Sequence, residues 1–183
     1  MTNLKSITVF MGSRDGSKPE YQQKTIELAH ALASKDYEVV YGGGKDGLMG
    51  LLATEVMQKG GRVVGVSPKN LAEEEINEYQ ITRLIQVHSM DERKEALISL
   101  GDGFIALPGG FGTLEEFSQV ISWNKINLIH KPIVLLNVDK FYDPLMGFLE
   151  QIVEYQFAEQ RDMSFLFKAD TIPEALDFLE NYN

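Results

Sequence analysis

Three charged residues have types and spacing suited to chemistry. Glu115 and Glu116 close the stretch PGGFGTLEE (Pro108–Glu116), and Arg93 lies within MDERKEAL (Met90–Leu97). A carboxylate held beside a sugar stabilises positive charge developing at the anomeric carbon and can orient an attacking water. An arginine can fix such a carboxylate, or a phosphate, through two parallel hydrogen bonds, and it keeps its own proton at neutral pH. The glycines ahead of the carboxylates suit a second task. Gly109, Gly110 and Gly112 let backbone amides come close to an anion, and a helix starting near Thr113 aims its N-terminus at the same place. Thr113 itself has two readings, a helix cap or a hydroxyl donor to a phosphate oxygen.

Helical geometry separates the two glutamates. With about 3.6 residues per turn, Leu114, Phe117, Val120 and Ile121 form the apolar face of a helix over Thr113–Lys125. Glu116 flanks that face and Glu115 projects to the polar side, where a first-turn acid complements the helix dipole. On Met90–Leu100 the same projection centres Arg93 on a face with Met90, Ala96, Leu97 and Leu100. An arginine there must snorkel, pair with a carboxylate or face a ligand. Lys94 borders that face, within reach of a phosphate. Glu116 and Arg93 are therefore the expected catalytic residues.

Other chemistry finds less support. Gly42-x-Gly44-x-x-Gly47 fits a dinucleotide fingerprint, but it follows the second expected strand, and the next strand ends Val66-Ser67-Pro68 where an acidic residue is required. No Gly-Lys-Ser/Thr occurs, so a Walker A phosphate loop is absent from the sequence. His30, His88 and His130 lack ligand spacing, and with no cysteine there is neither a thiolate nor a Cys-based zinc site. A resident metal or cofactor is not expected. The net charge of −10 argues against a nucleic-acid polymer as partner but leaves room for a small anion held by glycine amides.

The elements that must position these residues alternate along the 183 residues. Strands are expected at Ile7–Met11, Glu38–Tyr41, Arg62–Val66, Thr82–Val87, Gly103–Leu107 and Ile133–Asn137. Helices are expected at Pro19–Ser34, Leu48–Lys59, Met90–Leu100, Thr113–Lys125, Tyr142–Glu159 and Pro173–Asn181, with a polar loop over Pro68–Gln80. Near-continuous apolar strands between helices predict one α/β domain over 1–183, Rossmann-like and doubly wound, with a parallel sheet covered on both faces. Glycine-bearing stretches then follow the first, second and fifth strands. All three fall at the carboxyl edge, where such sheets bind ligands. No apolar run is long enough to span a bilayer and the N-terminus reads as a strand, so no membrane is expected and the location is expected to be cytoplasmic.

The same motifs resemble the Lonely Guy family of cytokinin riboside 5′-monophosphate phosphoribohydrolases, many of which carry the older label of lysine decarboxylase. PGGFGTLEE matches the family's PGGxGTxxE, YGGGKDGLMG (Tyr41–Gly50) its glycine loop, and MDERKEAL its MHxRK segment. The resemblance implies hydrolysis of a nucleoside 5′-monophosphate, with an adenine-type base that in the family can carry an N6 substituent, to free base and ribose 5-phosphate. It implies Arg93 and Glu116 as the catalytic pair, and phosphate contacts from Gly109, Gly110, Gly112 and Thr113 with Gly43 and Gly44. It also implies a homodimer without metal or redox cofactor. Asp91, Leu97, Ser67 and the segment Ser122–Asn127 depart from the family pattern, and all these departures concern the base pocket rather than the phosphate loop. A non-catalytic nucleotide-binding module is the alternative, and it would need the glycine loops but no inward Arg93 and Glu116.

Overall fold

The computed structural model describes residues 4–69 and 80–182; most of the polar loop expected over Pro68–Gln80 lies outside them. The strands are β1 (Ser6–Phe10), β2 (Glu38–Tyr41), β3 (Arg62–Pro68), β4 (Arg83–Val87), β5 (Gly103–Ala106), β6 (Ile133–Leu136) and β7 (Leu166–Ala169). The helices are α1 (Pro19–Ser34), α2 (Gly47–Gln58), α3 (Met90–Leu100), α4 (Phe111–Lys125), α5 (Asp143–Glu154) and α6 (Ile172–Asn181). The seven strands form one parallel sheet in the order β4-β3-β2-β1-β5-β6-β7.

Side-chain alternation sorts the core into two layers. Ile7, Val9, Val39, Val63, Ile105 and Val134 pack against α1, α2 and α6 on one face. Phe10, Val40, Val64, Phe104, Ile133 and Leu135 turn to the other, against α3 and α4, with Leu145, Met146 and Leu149 of α5 partly buried alongside. Helices on both faces of a parallel sheet are the expected doubly wound architecture. The strand order reverses between β1 and β5, so a crevice opens above their carboxyl ends. There the amide of Leu107 donates to Phe10 O (2.9 Å) and that of Gly12 to Pro108 O (3.2 Å), joining the loops that follow the two strands.

Three elements differ from expectation. β7 was not foreseen, because Leu166-Phe167-Lys168-Ala169 is a four-residue edge strand in which only Leu166 and Ala169 are buried. α5 ends at Glu154 rather than Glu159, where Tyr155 and a left-handed Gln156 (φ 64°) break the helix. α4 starts at Phe111, two residues early, with Gly110 as its N-cap. Thr113 is therefore the third helical residue and caps nothing.

Candidate active site

The carboxyl edge holds a cavity of about 400 Å³ lined by Ser13, Gly42, Gly44, Lys45, Asp46, Met49, Ser67, Met90 and Arg93. A second hollow of about 560 Å³ shares Ser13 with it and runs along Gly12–Gly16 to Pro108–Phe111. The two meet at Ser13, one bordered by the glycine loop after β5 and the other by Ser67 of β3.

Arg93 reaches the cavity because α3 begins where it does. The Ser89 hydroxyl accepts from the amide of Glu92, while the Glu92 carboxylate accepts from that of His88 at 2.7 Å, which fixes the first turn. One turn on, Arg93 is buried (8% exposed) and each of its three guanidinium nitrogens donates a hydrogen bond. Nη1 donates to Glu116 Oε1 at 3.0 Å, Nε to Val66 O at 3.2 Å, and Nη2 to Gly42 O at 3.4 Å. Gly42 makes this possible, since a Cβ there would collide with Nη2 of Arg93. The arginine thus ties the ends of β2 and β3 to the carboxylate on α4.

Glu116 is itself buried, at 6% exposed. Burial raises its carboxyl above the ordinary glutamate range, opposed by the charge and hydrogen bond of Arg93. The buried stripe of α4 runs Thr113, Glu116, Phe117, Val120 and Asn124, so it is rotated from the apolar face expected. Leu114 stands 44% exposed while a glutamate goes inside, an inversion of the hydrophobic rule that suits a working carboxylate. Glu115 projects outward as expected and binds Lys94 Nζ at 2.9 Å.

Lys94 differs from Arg93 in kind. Its ammonium sits between Glu115 and Asp91, which raise its affinity for a proton, and it does not line the cavity. Both carboxylates compete with any phosphate for its charge.

The phosphate-loop residues meet beside the crevice. The amides of Phe111, Gly112 and Thr113 precede the first intrahelical bond, from Leu114 N to Gly110 O, so the helix presents free donors. A Cβ on Gly109 would strike the Thr113 side chain and crowd Gly12 N, whereas one on Gly110 or Gly112 would enter open space. The last two glycines therefore leave room that the protein does not fill. Gly43 lies buried at the end of β2 with φ 79°, and Gly44 borders the cavity.

Sequence reasoning missed several groups. Ser13, Met49 and Met90 line the cavity; Ser13 and Met49 were signalled only by proximity to glycine loops, and Met90 only by sharing a helix face with Arg93. Tyr142, 6% exposed, donates from its hydroxyl to Leu107 O at 2.7 Å and so anchors the residue before the phosphate loop. Burial raises its phenol, and nothing local in the sequence announces the contact. Ser67 is 1% exposed and its hydroxyl has no partner among the described residues. An unpaired buried hydroxyl costs about 1–3 kcal/mol. Among the described residues no group of three His, Asp or Glu is arranged to hold a metal, and His30 instead bonds Glu55 at 2.8 Å between α1 and α2.

A family model described as "Possible lysine decarboxylase" matches residues 49–179. The chain is 40% identical over 181 residues to a cytokinin riboside 5′-monophosphate phosphoribohydrolase of Arabidopsis thaliana, covering 99% of this chain and 85% of that one. It is 39% identical to the protein of that name from Oryza sativa subsp. japonica, covering 99% and 75%. The structure of the molybdenum cofactor binding protein from Rippkaea orientalis superposes with a TM-score of 0.73 over 98% of each chain; at 18% identity this is a likeness of fold alone.

Proposed function

The chain belongs to the Lonely Guy family, described in its domain model as possible lysine decarboxylases, and from that premise we propose that it is an N-glycosyl hydrolase. Its substrate is a purine nucleoside 5′-monophosphate, adenine-type, and its products are free base and ribose 5-phosphate. The observation that carries the reading is the buried Arg93–Glu116 pair, whose arginine lines a glycine-bordered cavity at the carboxyl edge. A nucleotide-binding module needs the glycines, but it gains nothing from a buried carboxylate held at 3.0 Å by an arginine that also binds two carbonyls.

The phosphate sits on the amides of 109–113 and the sugar lies toward Glu116. As the bond to the base breaks, the ribose becomes oxocarbenium-like. A carboxylate in a low-dielectric site stabilises that charge strongly and orients water for attack. Arg93 acts as a positioning group: one of its bonds holds Glu116, and the other two anchor the guanidinium to Val66 O and Gly42 O at the strand ends. Gly43 and Gly44 border the sugar side, and Lys94 serves by balancing Glu115 more than by touching phosphate.

The decarboxylase label fits the lysines poorly. A Schiff-base lysine is activated by burial or a neighbouring cation. Lys45 lines the cavity but is exposed, Lys94 is neutralised by two carboxylates, and Lys131 lies at the opposite edge of the sheet.

Two chains form the working unit in this reading. Ile126 and Leu128, 60% and 63% exposed beyond α4, and Phe111 at 92% give apolar surface that a second copy would cover. Light scattering at micromolar concentration tests this, and a mass near 20.6 kDa contradicts it. The protein acts in the cytoplasm on a free nucleotide; among the described residues no helix is long and apolar enough to cross a membrane. The activity is tested by incubating the protein with a panel of nucleoside monophosphates and the matching nucleosides, followed by chromatography of released bases. AMP or an N6-substituted AMP is expected to yield base, and adenosine far less. Equal turnover of AMP and adenosine removes the phosphate anchor from the account.

A further inference from the structure

Several buried hydroxyls elsewhere in this fold are satisfied by backbone carbonyls. Ser6 donates to Leu100 O at 2.6 Å, Thr8 to Leu97 O at 2.7 Å and Thr25 to Tyr21 O at 2.8 Å. Ser67 breaks the pattern. It is the penultimate residue of β3, beside Val66, whose carbonyl receives Arg93, and it lines the Arg93 cavity, its hydroxyl unpartnered among the described residues. A serine hydroxyl moves between three staggered positions, and from a cavity wall that swing carries it to a ligand.

Its place along the sheet says which part of the ligand it meets. The phosphate loop follows β5, and a nucleotide laid from there along the carboxyl edge passes β1 and β2 before β3. With strands about 4.8 Å apart, β3 lies about 14 Å from β5, beyond the sugar. Met49 and Met90 border the same cavity and offer adaptable apolar contact to a flat ring. Ser13, the other serine of the cavity, follows β1 and lies toward the phosphate.

We infer that Ser67 is a specificity residue whose hydroxyl bonds a polar atom on the edge of the nucleobase. The inference rests on the nucleotide hydrolase reading. A base whose edge presents no such atom leaves the hydroxyl unpaired and is bound less well, so Ser67 selects bases by hydrogen bonding while the methionines accept any planar ring.

The test measures base release by wild type and Ser67→Ala. The substrates are AMP, analogues lacking the 6-amino group, N1, N3 or N7, and analogues lacking the 2′- or 3′-hydroxyl. Wild-type turnover of AMP tests the hydrolase reading alone; if no base appears, that reading fails and Ser67 falls with it. Given turnover, Ser67→Ala is expected to lower kcat/KM for AMP about tenfold. One base-edge deletion should cause the same loss in wild type and no further loss in the variant. Thermal melting of the variant should match or exceed wild type, since an unpaired hydroxyl is being removed. Independent losses for every base analogue, coupling to a sugar hydroxyl, or unchanged turnover of AMP each overturn the inference.

Discussion

The two edges of the sheet treat buried polar groups in opposite ways. At the amino edge every one of a connected set is satisfied. Asp102 accepts from the amides of Lys5 and Ser6, Asn124 bridges Val120 O and both backbone groups of Lys131, and Lys131 Nζ donates to Ile98 O and Ser99 O. These bonds close the ends of α3 and α4 against the strands. At the carboxyl edge a glutamate is buried with its carboxyl raised, and among the described residues the Ser67 hydroxyl and the helix amides at 111–113 have no partner. The same helices serve both edges. In the proposed reading, satisfaction marks the end that holds the fold together and deficit the end that takes the nucleotide.

If that contrast is right, substitutions at the carboxyl edge should cost activity and those at the amino edge stability. Arg93→Ala is expected to have the largest effect, a loss of roughly a hundredfold or more in kcat, because Glu116 loses the group that holds it. Combining it with Glu116→Gln should add little, since groups acting as a unit are non-additive. Single-turnover kinetics with circular dichroism on each variant checks this, and multiplicative losses would separate the two roles.

Asn124→Ala belongs to the other edge. It orphans the amide and carbonyl of Lys131, and urea unfolding should show a loss of about 1–3 kcal/mol with kcat within twofold of wild type. A dead but fully stable variant would erase the contrast.

Acid inactivation provides a gentler probe. Burial raises the carboxyl of Glu116, so its protonated form persists above the ordinary glutamate range. The acid limb of kcat should therefore lie above the range of an exposed glutamate and vanish in any residual activity of Glu116→Gln. The same shift has a stability sign. Between the unfolded and folded pKa values the native state binds more protons, so Glu116's contribution is present at low pH and is lost as pH rises through the folded value. Urea midpoints measured across that interval should fall with pH in wild type more than in Glu116→Gln.

Glu115→Gln is the smallest expected effect. Its carboxylate is 56% exposed and pairs with Lys94 on the surface, and such pairs contribute about 0–1 kcal/mol. Most activity and stability should survive, as thermal melting and steady-state rates will show.

Much of this was legible in the sequence. The apolar strands, Arg93 centred on a helix face, and the outward projection of Glu115 follow from periodicity alone. The start of α4 was not, because the usual preference for a capping threonine pointed to Thr113, whereas Gly110 leads directly into the helix. The rotation that exposes Leu114 and buries Glu116 escaped for a related reason: hydrophobicity predicts which side chain the core wants, and here a site overrides the core. Ser67 and Tyr142 declare themselves only through partners, or a missing partner, far away in the chain. β7 was hidden by its length, since four residues of which only Leu166 and Ala169 are buried leave too little pattern to read.

The most direct test is base release from AMP by Glu116→Gln beside wild type and Glu115→Gln, all three shown to be folded. The substitution keeps shape and hydrogen-bonding reach and removes only the charge. A loss of roughly a hundredfold or more in kcat for Glu116→Gln, with Glu115→Gln near wild type, is the predicted result. An active Glu116→Gln, or the reverse ranking of the two variants, would contradict the assignment of the buried carboxylate as the catalytic one.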